Sequence, residues 1–232
     1  MFELNLSRWR KVWLARPWEL RLDREAGMIE LHGVRGYLVP GDVAFLFNLA
    51  AELPPGGNYL EVGSWQGLSA IVFANGLIAN LNLKATVFCV DTWRGSPEHQ
   101  SLPEVRGDRV FDLFLKNVRE AQVDCLIKPV RGESVEVARN WQGPGLGMVF
   151  IDGDHSAEAC YDDIKHWRRR LKPGGRILGH DAVPGGGVEQ AVRRYCAEEG
   201  LVASVGPLPE THFIWEIHDG APLLPPTRRR LA

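Results

Sequence analysis

The 232-residue chain is poor in cysteine and has no long apolar run. Its cysteines stand singly and form no C-x-x-C pair; they are Cys89, Cys125, Cys160 and Cys196. This spacing excludes a disulfide scaffold and is typical of small buried side chains in a reducing compartment. Residues 1–10 carry scattered charges and lack an apolar segment as long as a signal peptide or a membrane span. We therefore expect a cytoplasmic protein with no membrane partner.

The chain also lacks an excess of charge of either sign. Lysine and arginine number 27 against 29 aspartate and glutamate residues, which gives a formal net charge of −2. Such a balance offers no general attraction to nucleic acid, so we expect no nucleic-acid partner. The three arginines at residues 228–230 follow several prolines, and this pattern is more typical of a solvated tail than of a binding patch.

Residues 58–67 lack one glycine of the dinucleotide-binding pattern, and the later motifs are interpreted together with this stretch. A β-prone run there leads into Glu61, Gly63 and Gly67, and a helix-like run follows. Glycines after a strand let backbone N–H groups at a helix N-terminus approach a ligand closely. The dinucleotide fingerprint G-x-G-x-x-G needs a further glycine, and Trp65 stands where a middle glycine would be expected. These residues alone leave open both an ordinary strand-to-helix turn and a nucleotide-binding loop.

A second β-prone run, residues 85–90, ends in Asp91. Strand, glycine turn, helix, strand and terminal acid follow one another in the order of a nucleotide-binding βαβ unit. The acid suits its position because a carboxylate can accept hydrogen bonds from both hydroxyls of a ribose. The polar segment at residues 93–107, which glycines and prolines interrupt, predicts a loop over the carboxyl edge of the sheet.

Two later strand ends carry acids and histidines. One strand-like run leads into Asp152 and His155, and another leads into His180 and Asp181. Carboxylate oxygens are hard ligands that Mg²⁺ accepts, and His155 has a pKa range suited to accepting a hydroxyl proton. His180 is a second choice, either as a ligand or as a residue that orients one. In the alternative interpretation, Asp152 and Asp154 cap the next helix and His155 packs on its first turn.

Turn and cap signals predict the neighbouring elements. Asp42 is expected to be the N-cap of one helix, and Ser156 the N-cap of a second. Residues 172–175 are expected to end the second helix. Residues 201–205 and 211–217 predict a closing antiparallel pair of strands.

Together these motifs resemble the class I S-adenosylmethionine-dependent methyltransferases, and more narrowly the branch of macrocin-type sugar O-methyltransferases. The segments that carry the resemblance are EVGSWQG at 61–67, DTW at 91–93, IDGDH at 151–155, LKPGG at 171–175 and GHD at 179–181. The resemblance covers about residues 40–218. It implies an α/β, Rossmann-like fold with a seven-stranded, mostly parallel sheet, a C-terminal antiparallel hairpin and helices on both faces.

The resemblance also implies a role for single residues, with Glu61 near the methionine end of the cofactor and Asp91 on its ribose. The implied cofactor-binding residues are Glu61, Gly63, Ser64, Gly67, Asp91, Thr92, Trp93, Glu133, Ser134 and Asp152. The implied metal ligands are Asp152, Asp181 and His180, and the implied catalytic residues are His155 and Asp152.

The expected function is therefore transfer of a methyl group from S-adenosylmethionine to a hydroxyl of a small molecule, such as a sugar or a glycosylated metabolite, assisted by Mg²⁺. An NAD-dependent oxidoreductase and a non-catalytic domain that only binds S-adenosylmethionine are the alternatives. The expected domain is residues 41–218, with a tail at 219–232. An extension at 1–40 would cap the core, line the substrate pocket or contact another subunit of a homo-oligomer.

Overall fold

Seven strands form the central sheet of the computed structural model, which describes residues 20–23, 28–96, 99–205 and 213–219. The strands are β4 (Asn58–Val62), β5 (Thr86–Asp91), β6 (Ile127–Arg131), β7 (Leu146–Ile151), β8 (Leu171–Gly179), β9 (Val202–Val205) and β10 (Trp215–His218). Their order in the sheet is β6-β5-β4-β7-β8-β10-β9. The pairs from β6 to β8 are parallel, and β10 runs antiparallel to both β8 and β9. The predicted mostly parallel sheet with a C-terminal antiparallel hairpin is confirmed.

Helices cover both faces of this sheet because its central strands are apolar on both sides. The helices are α1 (Pro40–Leu49), α2 (Leu68–Ala79), α3 (Pro103–Arg106), α4 (Val110–Glu120), α5 (Ser134–Arg139), α6 (Ala157–Arg168) and α7 (Gly187–Glu199). One apolar cluster joins α1, α2 and α4 to the sheet, and the second joins α6 and α7 to it. No helix of the described ranges combines the length and the apolar character that crossing a bilayer requires.

A small antiparallel sheet precedes α1. It consists of β1 (Leu20–Asp23), β2 (Met28–Leu31) and β3 (Val34–Gly36). Ile29, Leu31, Val34 and Leu38 are buried in the same apolar cluster as α1 and α2, so this part of the predicted extension packs on the main core. The tryptophans at the start of the chain and the arginines at 228–230 lie outside the described residues. The boundaries at residues 40 and 218 stay a prediction.

Two local predictions were wrong. Helix α1 begins at Pro40, which is favoured at a first helical position, so Val39 is the N-cap and Asp42 lies inside the first turn. The Oδ2 atom of Asp42 accepts a hydrogen bond from the backbone N–H of Val39 at 2.8 Å. Residues 172–175 do not form a terminating turn but belong to β8. They lie at an irregularity in the pairing of β8 with β7, where the register shifts. The prediction of Ser156 as an N-cap is confirmed, since its hydroxyl accepts a hydrogen bond from the Ala159 N–H.

Candidate active site

A cavity of about 710 Å³ opens at the carboxyl edge of the sheet. The loops after β4, β5, β6, β7 and β8 form its walls, and the residues just after β3 close one side. Its volume lies within the roughly 300–1,000 Å³ of sites that bury a small organic ligand. Of the residues predicted for the site, those that line the cavity are Gly63, Ser64, Asp91, Thr92, Glu133, Ser134, Asp152, His155 and Asp181.

The turn after β4 depends on Gly63. This residue has a φ of +86°, a backbone conformation that is unfavourable for residues other than glycine. A Cβ atom added to it would lie 1.9 Å from the carbonyl oxygen of Asp152. The Asp152 N–H donates to the Val62 carbonyl at 2.9 Å, and the Gly63 N–H donates to the Val90 carbonyl at 3.0 Å. The glycine turn and the acid-bearing loop after β7 are therefore in direct backbone contact.

Asp91 has a fixed orientation in the cavity wall. Its Oδ2 atom accepts the Trp65 N–H at 2.8 Å, and its Oδ1 atom accepts the Trp93 N–H at 2.7 Å. Burial raises the pKa of Asp91, and these backbone hydrogen bonds counteract part of the rise. Each carboxylate oxygen keeps a second acceptor site, so the geometry is compatible with a ribose diol. The bond to Asp91 also holds Trp65 at a φ of +46°, a strained value for a residue other than glycine.

Three of the predicted cofactor residues are not among those that line the cavity. Gly67 has a φ of +91° at the N-cap of α2, where a Cβ atom would lie 3.0 Å from the Phe114 ring. Trp93 is 1% exposed and donates its indole N–H to the Trp65 carbonyl at 2.9 Å. Glu61 is fully buried beneath the turn. Their role in cofactor binding stays a prediction.

The charge state of Glu61 follows from its burial. Burial raises the pKa of its carboxyl to about 8, and the nearby hydroxyls of Ser69 and Ser64 offset only part of this effect. The carboxyl is therefore mostly neutral at pH 7.

Asp152, His155 and Asp181, from the loops after β7 and β8, converge at one part of the cavity edge. One potential ligand atom from each residue lies within 4.8 Å of the others, and the His155 Nε2 atom is 3.3 Å from Asp181 Oδ2. Two carboxylates and an imidazole around an accessible position fit a divalent cation with coordination sites left for water or substrate oxygens. The structure thus brings together two of the predicted metal ligands and the predicted base.

His180 lies beneath this cluster and is not a member of it. Its ring is 1% exposed, with Nε2 3.0 Å from Asp42 Oδ2, and with Nδ1 3.2 Å from Asp181 Oδ2 and 3.4 Å from Asp152 Oδ1. Burial by itself lowers the pKa of His180, but the charge of Asp152 and hydrogen bonds to the three carboxylates outweigh it and raise the pKa to about 12. The group of potential metal ligands formed by Asp152, His155 and Asp181 does not include His180, whose role as a metal ligand stays a prediction. Trp215 of β10 supports it from below by donating its indole N–H to the His180 carbonyl at 3.2 Å.

The sequence patterns did not single out Asp42 or Asp163 as parts of the site. Asp42 is fully buried against His180. In the sequence, its position just after Pro40 indicated only a helix N-cap. Asp163 is 4% exposed and lines the cavity beside Ser134, whose hydroxyl donates to Asp163 Oδ1 at 2.5 Å. Burial raises the pKa of Asp163 to about 7. The sequence feature that could have identified Asp163 is its position between Cys160 and Trp167, on the buried face of α6.

The mostly parallel seven-stranded sheet, the glycine turn after β4 and the acid after β5 define a class I methyltransferase fold. A family model described as "Methyltransferase domain" matches residues 60–182, and the chain belongs to this family. It is a methyltransferase of the S-adenosylmethionine-dependent class, which excludes the nicotinamide alternative.

Solved structures with the same fold include enzymes that act on different atoms. The chain is similar to an O-methyltransferase from Bacillus cereus in complex with SAH (20% identity, TM-score 0.56, covering 77% of this chain and 80% of that one). It is similar to the O-methyltransferase TomG from Streptomyces achromogenes in complex with SAM (16%, 0.59, 94% and 90%). It is also similar to a precorrin-6y C5,15-methyltransferase from Geobacter metallireducens (14%, 0.55, 77% and 87%). At these identities the likeness shows the fold and leaves the acceptor atom to the site.

Proposed function

We propose that the protein transfers a methyl group from S-adenosylmethionine to a hydroxyl of a small molecule, such as a sugar or a glycosylated metabolite, with the help of a divalent cation, Mg²⁺. The observation that carries the proposal is that one cavity holds both the glycine turn with Asp91 and the cluster of Asp152, His155 and Asp181. Proximity of a cofactor site to a group that can activate a hydroxyl is what O-methyl transfer needs. The acceptor, a cytoplasmic location, a homo-oligomeric state and the absence of nucleic-acid and membrane partners belong to the same proposal.

S-adenosylmethionine, when bound, supplies an electrophilic methyl group on its sulfonium. Gly63 and Ser64 line the cavity, and the absence of a side chain at Gly63 leaves room for the Asp152 carbonyl oxygen, which keeps the turn and the loop after β7 together. Asp91 would bind the ribose hydroxyls, and Thr92, Glu133 and Ser134 would surround the base. Asp152 borders both this side and the acidic cluster.

An alcohol holds its proton tightly, so the acceptor needs a base. His155 is about half exposed in the cavity, and its Nε2–H can donate to Asp181 Oδ2 at 3.3 Å. That hydrogen bond would leave Nδ1 to take the hydroxyl proton. Asp152 and Asp181 would hold the cation, which, when bound, lowers the pKa of an oxygen that it contacts. The buried His180 keeps both carboxylates in place.

Aromatic rings line part of the cavity. Tyr37 and His99 stack with ring centroids 4.9 Å apart, and Trp65 lies 4.8 Å from His99. All three residues line the cavity, next to the glycine turn. Flat, mostly apolar walls with a few polar groups suit a ring-shaped acceptor, which supports a sugar-like substrate.

Calorimetry and activity measurements test the proposal together. We expect SAH to bind the wild-type protein and Mg²⁺ to bind with an affinity that Asp181→Asn weakens. We expect the same substitution to lower Mg²⁺-dependent methylation of a hydroxylated acceptor by about 100-fold or more, with SAH affinity nearly unchanged. Asp124→Asn, which makes the same change at an exposed position, should leave both unchanged.

Each failure has a separate meaning. Absence of SAH binding would refute the cofactor, and full activity in chelator would refute the role of the cation. A non-catalytic binding domain predicts that Asp152→Ala and His155→Ala keep SAH affinity and that no acceptor is methylated by the wild-type protein.

A further inference from the structure

We infer that Asp163 determines the base specificity of the nucleoside site, by accepting a hydrogen bond on Oδ2 from the exocyclic amino group of adenine. This inference rests on the proposed cofactor and adds a residue to its site. Asp163 lies on α6, is 4% exposed, and still lines the cavity. A carboxyl in this position is expensive to desolvate unless a ligand or a protein group hydrogen-bonds to it.

The hydrogen-bond network leaves one oxygen of Asp163 for the cavity. The indole N–H of Trp167 can only donate, and it donates to Ser134 Oγ at 2.8 Å. The single hydroxyl hydrogen of Ser134 is therefore directed to Asp163 Oδ1. Within the described part of the chain, Oδ2 of Asp163 has no hydrogen-bond partner. It lies 3.7 Å from the position that a Cβ atom would take on Gly153, in the loop that borders the cavity.

The position of Asp163 matches the side where the base would lie. Asp91 ends β5, and it pairs in register with Arg131 at the end of the adjacent β6. Ser134 begins the helix that follows β6, and its hydroxyl contacts Asp163. A nucleoside whose ribose is bound by Asp91 and whose base extends toward the β6 loop would bring the base edge to Asp163.

The chemistry of the two purines makes the inference specific. Adenine presents an N–H₂ donor at its 6-position, whereas hypoxanthine presents a carbonyl oxygen there. When ionised, the carboxyl of Asp163 accepts from the adenine amino group, whereas it has no hydrogen to donate to the carbonyl oxygen of hypoxanthine. The raised pKa of Asp163, near 7 because of burial, is consistent with a carboxyl that lacks a compensating donor in the absence of a ligand.

The test compares SAH with S-inosylhomocysteine, which has a carbonyl oxygen at the 6-position and a proton on N1, by isothermal titration calorimetry at pH 8.5, where Asp163 is ionised. The wild-type protein should bind SAH about 10- to 100-fold more tightly, as expected for a hydrogen bond to a charged group. Asp163→Asn should reduce this preference to less than about 3-fold, because an amide can present N–H₂ to the hypoxanthine oxygen. Asp162→Asn makes the same change at the neighbouring residue, which also lines the cavity, and should keep the preference.

Thermal unfolding of each variant shows whether it is folded. If Asp163→Asn does not fold, Asp163→Ser provides a smaller neutral side chain for the same comparison. Equal binding of the two ligands by the wild-type protein, or full preference in a folded Asp163 variant, would overturn the inference. Failure of the wild-type protein to bind SAH at all would instead refute the proposed cofactor.

Discussion

Replacement of Gly63 by alanine tests whether the glycine turn and the acid-bearing loop form one unit. Two costs add at this position. The φ of +86° is unfavourable for alanine by about 1–2 kcal/mol. The new Cβ atom would also lie 1.9 Å from the Asp152 carbonyl oxygen, a backbone atom that cannot rotate away. Displacing it resembles overpacking, which costs roughly 1–3 kcal/mol.

We therefore expect Gly63→Ala to lower the free energy of unfolding by ~2–5 kcal/mol, a large part of the ~5–15 kcal/mol typical of a domain. Gly174→Ala is the matched control, because Gly174 has a φ of +75° with no atom within 4 Å of its Cβ position. The control should show only the conformational cost of about 1–2 kcal/mol. The difference between the two variants isolates the contact with Asp152.

Urea unfolding followed by fluorescence measures both variants, and calorimetry with SAH measures the site. Gly63→Ala should weaken SAH binding, whereas Gly174→Ala should not, since Gly174 lies far along β8 from the cavity edge. Equal destabilisation by the two substitutions, with normal SAH binding in both, would refute the reasoning.

Two further predictions concern buried acids. Because the folded pKa of Glu61, about 8, is above its ordinary 4.5, its contribution to stability is complete below pH 4.5 and is lost as the pH rises through 8. The difference between the two pKa values corresponds to on the order of 5 kcal/mol. The stability of Glu61→Gln relative to the wild-type protein should therefore rise by about this amount between pH 4.5 and pH 8, and urea titrations with no such pH dependence would contradict this. Asp42→Ala removes a buried partner of His180 and should lower the free energy of unfolding by about 3 kcal/mol, whereas Asp42→Asn, which retains an acceptor, should cost less; equal effects would contradict the pairing.

The sheet and most of the cavity edge could be predicted because their signals are local. An apolar run followed by a polar residue gives both the strand and the position of the side chain at its end, as for Asp91 and Asp152. Parallel strands end at the same edge, so Asp181 could be expected near Asp152 without any knowledge of distances.

The remaining features depend on partners that are distant in sequence. Asp42 and His180 are separated by 138 positions, and no local pattern distinguishes a buried acid in a first helical turn from a solvated cap. Asp163 has the same difficulty, because its partner Ser134 lies on another helix. Gly67 and Trp93 were expected to contact the cofactor because they stand in the right motifs, but a motif does not show which of its residues line the cavity, and these two do not.

The support of His180 by Trp215 has a consequence for the order of folding. His180 leaves the ribosome 35 residues before Trp215 does, yet β10 fills the gap between β8 and β9 in the sheet. A nascent chain that has formed β4 to β8 would therefore lack the hydrogen bond from Trp215 to the His180 carbonyl beneath the acidic cluster. One edge of β8 would also be unpaired. Such an edge can pair with another chain before β10 is available. Cell-free synthesis should consequently yield binding at the proposed cation site only after residue 218 has emerged, and a delay of β10 would favour aggregation.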